Sequence, residues 1–226
     1  MALYNNNNSG IYYRQMIRDL KQGRNKEQCS IIDYFLAISG GCTGTQTITD
    51  NQFVNILNKR VKELNIENRS LNKLGIDIDE CQEIKPVTFG GYNFAASNSL
   101  VKKCNDGKWR ASGYQITKIY FSDKQIYFYQ YSFDLSNDVV SEITDEYFYK
   151  DVTNFSSGLD TVEKETWQSA GGCMGSVPKK IIDHVQYSSF RLVVPGDTKV
   201  CSMSTSNEIE DSIKGMKSKL REKKDE

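Results

Sequence analysis

The sequence is poor in the residues from which catalytic and metal sites are most often built. It has one histidine, His184, in 226 residues, and its six cysteines include no CxxC pair. A His-based zinc site would lack ligands, and a His-dependent catalytic unit would have to use His184 beside Asp183. We predict that His184 is an ordinary surface or strand-edge residue. We expect a protein that is not an enzyme, with no catalytic residue, metal site or cofactor.

The sequence also has few prolines, no net charge and no long apolar run. The chain has three prolines, and its 29 basic residues balance 29 acidic ones. This balance argues against a nucleic-acid partner, because phosphate binding needs a basic stripe or domain. The longest apolar stretch, 31–38, is interrupted by Asp33 and is too short to span a bilayer, and the Asn-rich N-terminus does not resemble a signal peptide. We therefore expect free thiols in the cytoplasm.

The first half of the chain has helical periodicity. After a predicted disordered leader (1–10), apolar residues recur at helical spacing and predict a helical region over 11–85. Thr49 and Gln52 have the spacing of a capping box and open the clearest of these helices. Pro86 ends the pattern and is the predicted boundary. The predicted helices are 11–21, 26–38, 50–64 and 67–74, with a single turn in 77–84.

The second half is rich in aromatic residues and short strands. Tyr127, Tyr129, Tyr131 and Phe133 alternate and should share one face of a strand. The predicted strands are 87–94, 101–111 with a turn at 105–107, 114–121, 125–133, 142–155, 161–168, 189–194 and 198–203. A closing helix, 207–224, carries one apolar stripe formed by Ile209, Ile213, Met216 and Leu220.

The run of strands, the stretch Tyr147–Val152 and the closing Phe190–Met203 hairpin, followed by a single helix, resemble bacterial pleckstrin-homology-like (PH-like or GRAM-like) domains. The resemblance covers 86–226. It implies an α+β protein in which the helical region precedes a seven-stranded antiparallel barrel capped by the C-terminal helix. It also implies binding to lipid headgroups, peptides or partner proteins rather than catalysis.

Two binding surfaces follow from this reading. The favoured one is a groove beside an edge strand, because an open edge can accept a peptide strand, and it predicts a binding or scaffold module with a protein or peptide partner. The alternative is an anionic lipid headgroup site, for which membrane contact is needed. Its candidate ligand-binding residues are Lys102, Lys103, Lys108 and Arg110, which loosely match the basic pattern that the family carries on its first hairpin.

A short pattern, GGCxG[TS], occurs twice, at 40–45 and at 171–176. We predict loops over 40–49 and 169–178. A glycine-rich loop can also expose backbone N–H groups and activate a thiol. A thiol-dependent sensor or enzyme that uses Cys42 and Cys173 is therefore the alternative from another class.

Overall fold

The computed structural model describes residues 7–37, 47–81, 84–170, 177–204 and 206–225. The helices are α1 (Asn7–Lys21), α2 (Lys26–Leu36), α3 (Asp50–Glu63), α4 (Ile66–Leu74) and α5 (Asn207–Asp225). The strands are β1 (Val87–Tyr92), β2 (Val101–Lys103), β3 (Trp109–Ala111), β4 (Gly113–Phe121), β5 (Gln125–Asp134), β6 (Val140–Phe148), β7 (Asn154–Ala170), β8 (Val177–Val194) and β9 (Asp197–Met203).

The strands form three antiparallel sheets. A four-stranded sheet has the order β1-β4-β5-β6, a three-stranded sheet has the order β7-β8-β9, and β2 and β3 form a separate hairpin. The α+β class predicted from the sequence is confirmed. The closed seven-stranded barrel is not seen among the described residues, where nine strands divide into these three sheets.

Helices α1–α4 cover one face of the four-stranded sheet. As predicted, the tyrosines of β5 share this face with Phe133, and Tyr129 and Tyr131 are buried against the helices. The hydroxyls of Ser70 on α4 and Tyr120 on β4 lie 2.6 Å apart, so a buried polar pair joins the two layers. This core contains residues from both sides of Pro86, and the helical region therefore shares its core with the sheet.

The opposite face of the four-stranded sheet packs on the three-stranded sheet. Phe89 of β1 stacks on Phe190 of β8 with ring centroids 4.6 Å apart. Helix α5 covers this second core with the predicted stripe, in which Met216 is completely buried and Ile213 and Leu220 are nearly so. Burial of such side chains is the main term that holds α5 on the sheets.

Helix starts and stops agree with the sequence signals. The Thr49 side chain accepts a hydrogen bond from the Gln52 amide, and the Gln52 side chain accepts one from the Thr49 amide, which confirms the capping box. Gly75 ends α4 with φ of 67°, a left-handed conformation that glycine adopts without strain. Helix α1 begins at Asn7, inside the segment predicted to be a disordered leader.

Three strand predictions are wrong in length. The predicted strand 142–155 is divided by a 3-10 turn, Tyr149–Asp151, because the buried Tyr149 turns inward and its hydroxyl donates to the Ser122 carbonyl at 2.9 Å. The predicted strands 161–168 and 189–194 are parts of β7 and β8, which have 17 and 18 residues. Val177 and Pro178, predicted to lie in a loop, belong to β8.

Strands β7 and β8 extend beyond the three-stranded sheet as a two-stranded ribbon. Strand β9 pairs only with Ser188–Val194 of β8, whereas β7 and β8 pair as far as Ala170 and Val177. The inner face of this ribbon packs Val162 and Val185 against the β2–β3 hairpin. Near its tip, Trp167 contacts Tyr13 of α1 with ring centroids 4.7 Å apart. The ribbon thus joins the sandwich to the helical layer.

Strand edges differ in whether their backbone is covered. Along β9, the Gln115 side chain accepts from the Ser202 amide at 2.7 Å, and the Gln130 side chain donates to the Val200 carbonyl at 3.0 Å. These two glutamines take the place of a neighbouring strand, so β9 is closed to an incoming peptide. Strands β6 and β7 pair on one side only within the described ranges.

Candidate functional site

The four basic residues predicted as a headgroup site lie in three different environments. On the β2–β3 hairpin Lys102 is opposite Arg110, and Lys103 is opposite Trp109. Because directly opposed residues project to the same side, Lys102 and Arg110 face the helices while Lys103 faces away from them. Lys108 is exposed at the turn. The structure does not bring these four cations into one patch.

Arg110 is held by carboxylates. Its guanidinium donates two hydrogen bonds to Asp106, at 2.8 and 3.1 Å, and lies 3.7 Å from Asp50 of α3. Its side chain is only 11% exposed. The paired carboxylate raises the pKa of Arg110 further above its ordinary value. Arg110 therefore anchors the hairpin to α3, because its donors are already engaged.

Lys102 is positioned by α2. Its ammonium donates to the Tyr34 carbonyl at 3.1 Å and lies 4.3 Å from the centroid of the Tyr34 ring. The Tyr34 hydroxyl donates to Asp50 at 2.8 Å and lies 3.1 Å from the Cys104 sulfur. Burial raises the pKa of Tyr34 above its ordinary value. These contacts make the hairpin a fixed part of the helical layer.

The thiol prediction stays a prediction, because Cys42 and Cys173 lie outside the described residues. Burial raises the pKa of Cys201 to about 12, which keeps this thiol protonated near neutral pH. The exposed His184 has its Nδ1 3.9 Å from Glu163 Oε1 on the outer face of the ribbon. In the described ranges, no three His, Cys, Asp or Glu side chains are grouped for a metal ion.

A groove lies between the outer edge of β7 and helix α5. Its volume is about 410 Å³. Five successive residues, 153–157, line one wall. Because side chains alternate between the faces of a strand, five successive residues can border one groove only if it runs along the strand edge. Phe155 and Leu220, both buried, provide an apolar floor.

The other wall of the groove is cationic. Lys217, Arg221 and Lys224 line it from successive turns of α5, since residues four and three apart share a helix face. The Lys224 ammonium donates a hydrogen bond to the Thr153 carbonyl at 3.3 Å, and the Arg221 Nε donates one to the Lys217 carbonyl at 3.1 Å. None of the described residues lining the groove is acidic. The groove combines an open backbone edge, an apolar floor and positive charge.

The sequence alone did not identify these three cations as site residues. Basic residues at the C-terminal end of a helix complement its dipole, and an apolar stripe is expected from packing, so neither feature of α5 indicates a site by itself. The available signal was the spacing of Lys217, Arg221 and Lys224 on one side of that stripe. Its meaning depended on which strand edge lies beside it.

Comparisons of the chain with protein-family models, with curated proteins and with solved structures found no match. Among the described residues, no helix has both the length and the apolarity required to cross a membrane. The geometry of the groove and the strand edges is therefore the basis for the function of this protein.

Proposed function

We propose that the protein is a non-enzymatic binding module that takes an extended, acidic peptide segment of a partner protein into the groove between β7 and α5. The observation that carries this proposal is the open edge of β7 beside a cationic helix face. A peptide in extended conformation would add a strand to the three-stranded sheet through backbone hydrogen bonds, and these bonds supply affinity for many sequences.

Side chains would give this site its preference. Lys217, Arg221 and Lys224 favour carboxylates on the peptide, and the Phe155–Leu220 floor favours an apolar side chain at an alternate position. A strand at the edge of β6 would instead meet the exposed acidic residue Glu146 and the partly buried Asp145. Charge therefore favours the β7 groove for an acidic partner.

The resemblance to PH-like domains is part of the same proposal. If β2–β3 is counted as an inserted hairpin, the remaining order is four strands, three strands and one helix. The Ser204 amide donates to the Gly90 carbonyl at 2.9 Å, and so β9 meets β1 at one corner of the sandwich. We propose an unclosed relative of the PH-like barrel, in which peptide or protein binding is a common role.

The test is selection from a phage-displayed library of random linear dodecapeptides, followed by titration of the selected peptides. We expect acidic residues to be enriched. Changing Lys217→Glu together with Arg221→Glu should weaken binding by about tenfold or more, because two charge contacts become repulsive. The matched control is Lys59→Glu with Lys62→Glu on α3, which changes the net charge equally on the opposite side of the four-stranded sheet.

Selection of no peptide, or unchanged affinity in the α5 variant, would refute the proposal. Folding of both variants is checked by thermal unfolding. In an NMR titration, a bound peptide that does not shift the amide resonances of Asn154–Ser157 would also contradict strand addition at β7.

A further inference from the structure

We infer that a second site, separate from the groove at α5, binds a small planar aromatic compound that carries an anionic group. The site is a cleft of about 340 Å³ between the β2–β3 hairpin, the end of α2 and the β7–β8 ribbon. We call it the tryptophan cleft. It is defined by Phe35, Lys102, Lys103, Trp109, Trp167 and Asp183 among its lining residues.

Aromatic side chains point to a planar ligand. The protein has two tryptophans, and both line this cleft, together with Phe35. Trp109 belongs to the hairpin and Trp167 to the ribbon, and both remain partly exposed. Large indole rings that are open to a cleft offer faces on which another ring can stack. A cleft of this volume is within the range of about 300–1,000 Å³ that small-molecule sites occupy.

Lys103 points to an anionic group on that ligand. Lys102 and Lys103 both line the cleft, but the Lys102 ammonium is bound to Tyr34, so Lys103 is the cation that we assign to the ligand. Asp183 is the one acid among the described lining residues. The Asp183 carboxylate already accepts a hydrogen bond from Thr166, which orients it. Lys103 has its ammonium 6.0 Å from the Trp109 ring centroid. An anion attached to a ring stacked on Trp109 would lie within reach of this ammonium.

The walls of the cleft are fixed before a ligand arrives. The hairpin wall is held by the Arg110–Asp50 ion pair and by the contact of Lys102 with Tyr34. The ribbon wall is held by Lys164, whose ammonium donates to the Ala96 carbonyl at 2.5 Å. The contact between Tyr13 and Trp167 holds the ribbon against α1. A site assembled in this way loses little conformational entropy when it binds a ligand.

The position of both tryptophans makes the inference directly measurable. Tryptophan fluorescence, excited selectively over tyrosine, reports on this cleft alone. Four probes are used: 2-naphthoate, its neutral analogue 2-naphthamide, adenosine monophosphate and neutral adenosine. They vary the ring and the charge independently, and they distinguish an aromatic carboxylate from a nucleotide as the source of the anion. Affinities come from isothermal titration, and fluorescence locates the binding.

We expect at least one anionic probe to quench the fluorescence and to bind about tenfold more tightly than its neutral analogue, because a charge-assisted hydrogen bond is lost in the neutral one. Lys103→Ala should reduce that affinity about tenfold. Lys108→Ala, on the same hairpin but outside the cleft, should not. Trp109→Leu should weaken binding of charged and neutral probes alike.

The inference is overturned if neither anion binds at millimolar concentration, if the neutral analogues bind equally well, or if Lys103→Ala leaves the affinity unchanged. Thermal unfolding of each variant identifies any loss of fold, and Trp109→Phe, which keeps an aromatic ring, serves as the second test of stacking. Because the cleft shares no described lining residue with the α5 groove, Lys217→Glu with Arg221→Glu should not affect binding in the cleft.

Discussion

Glu142 shows how one side chain can connect two layers of the protein. Its carboxylate accepts two hydrogen bonds from Arg69 of α4, at 2.8 and 3.0 Å, and one from the Tyr129 hydroxyl at 2.7 Å. Lys73 is 3.5 Å away. The Arg69 guanidinium is the main cause that lowers the pKa of Glu142 from 4.5 to about 2. These contacts attach α4 to the edge strand β6.

Glu142→Gln should lower the free energy of unfolding by about 2 kcal/mol at neutral pH, because a bidentate charged pair is lost. Since the pKa of Glu142 is lower in the folded state than in the unfolded chain, its contribution is full above pH 4.5 and is lost as the pH falls toward 2. The difference between variant and wild type should therefore shrink over this range. Denaturant unfolding at a series of pH values measures it.

The matched control for this substitution is Glu146→Gln, on the same strand but exposed. It should change the unfolding free energy by less than about 0.5 kcal/mol, as exposed substitutions usually do. A variant at Glu142 whose deficit stays constant down to pH 2 would show that the carboxylate charge is not the stabilising feature.

At the scale of elements, Gly91 and Gly215 are glycines with different roles: one is required by close packing, and the other only lowers helix propensity. A Cβ added to Gly91 of β1 would lie 2.9 Å from the Met203 amide nitrogen and 3.0 Å from the Ser202 carbonyl carbon of β9. Gly215, inside α5, has no neighbouring atom within 4 Å of the same position. The close approach of β1 and β9 depends on Gly91, whereas nothing in the packing of α5 requires Gly215.

Gly215→Ala should stabilise the protein by about 0.5–1 kcal/mol, because alanine loses less backbone entropy in a helix. Gly91→Ala should destabilise it by about 1–3 kcal/mol, because backbone atoms of β9 must move. Denaturant unfolding of the two variants gives both values. Equal effects of the same sign at the two positions would contradict this account.

Among the secondary-structure elements, the short hairpins and amphipathic helices could be predicted from the sequence, but the long β7–β8 ribbon could not. Both faces of the four-stranded sheet are largely buried, so β4 and β5 appear in the sequence as nearly continuous apolar and aromatic runs bounded by turn residues. In the outer part of β7 and β8 the sequence is mostly polar, and exposed Leu159 and Ile182 break the expected pattern. Strand pairing there follows from continuation of the hairpin, which an amphipathic pattern does not reveal.

At the scale of the whole molecule, the helical region and the sheet depend on each other. Tyr120 and Tyr129 are completely buried beneath α1–α4, and Ile116 nearly so. Without the helices, the four-stranded sheet would expose this aromatic face to water. A protein surface that exposes so large an apolar patch tends to associate.

A chain limited to 86–226 should therefore bind the dye anilinonaphthalenesulfonate, self-associate and lose cooperative unfolding. Light scattering, dye fluorescence and calorimetry measure these properties, with the full chain as control. A monomeric, cooperatively unfolding 86–226 fragment would show instead that the boundary at Pro86 separates two independent domains.

Local signals in the sequence were sufficient for the α+β class, the Thr49 capping box, the shared face of the β5 tyrosines and the buried stripe of α5. Each depends on side chains a few residues apart, and periodicity or capping reveals these directly. Only the tertiary structure decided that the strands form an open sandwich, that two glutamines close the β9 edge, and that α5 lies beside the free edge of β7. These features depend on contacts between residues distant in sequence, whose pairing no local pattern specifies.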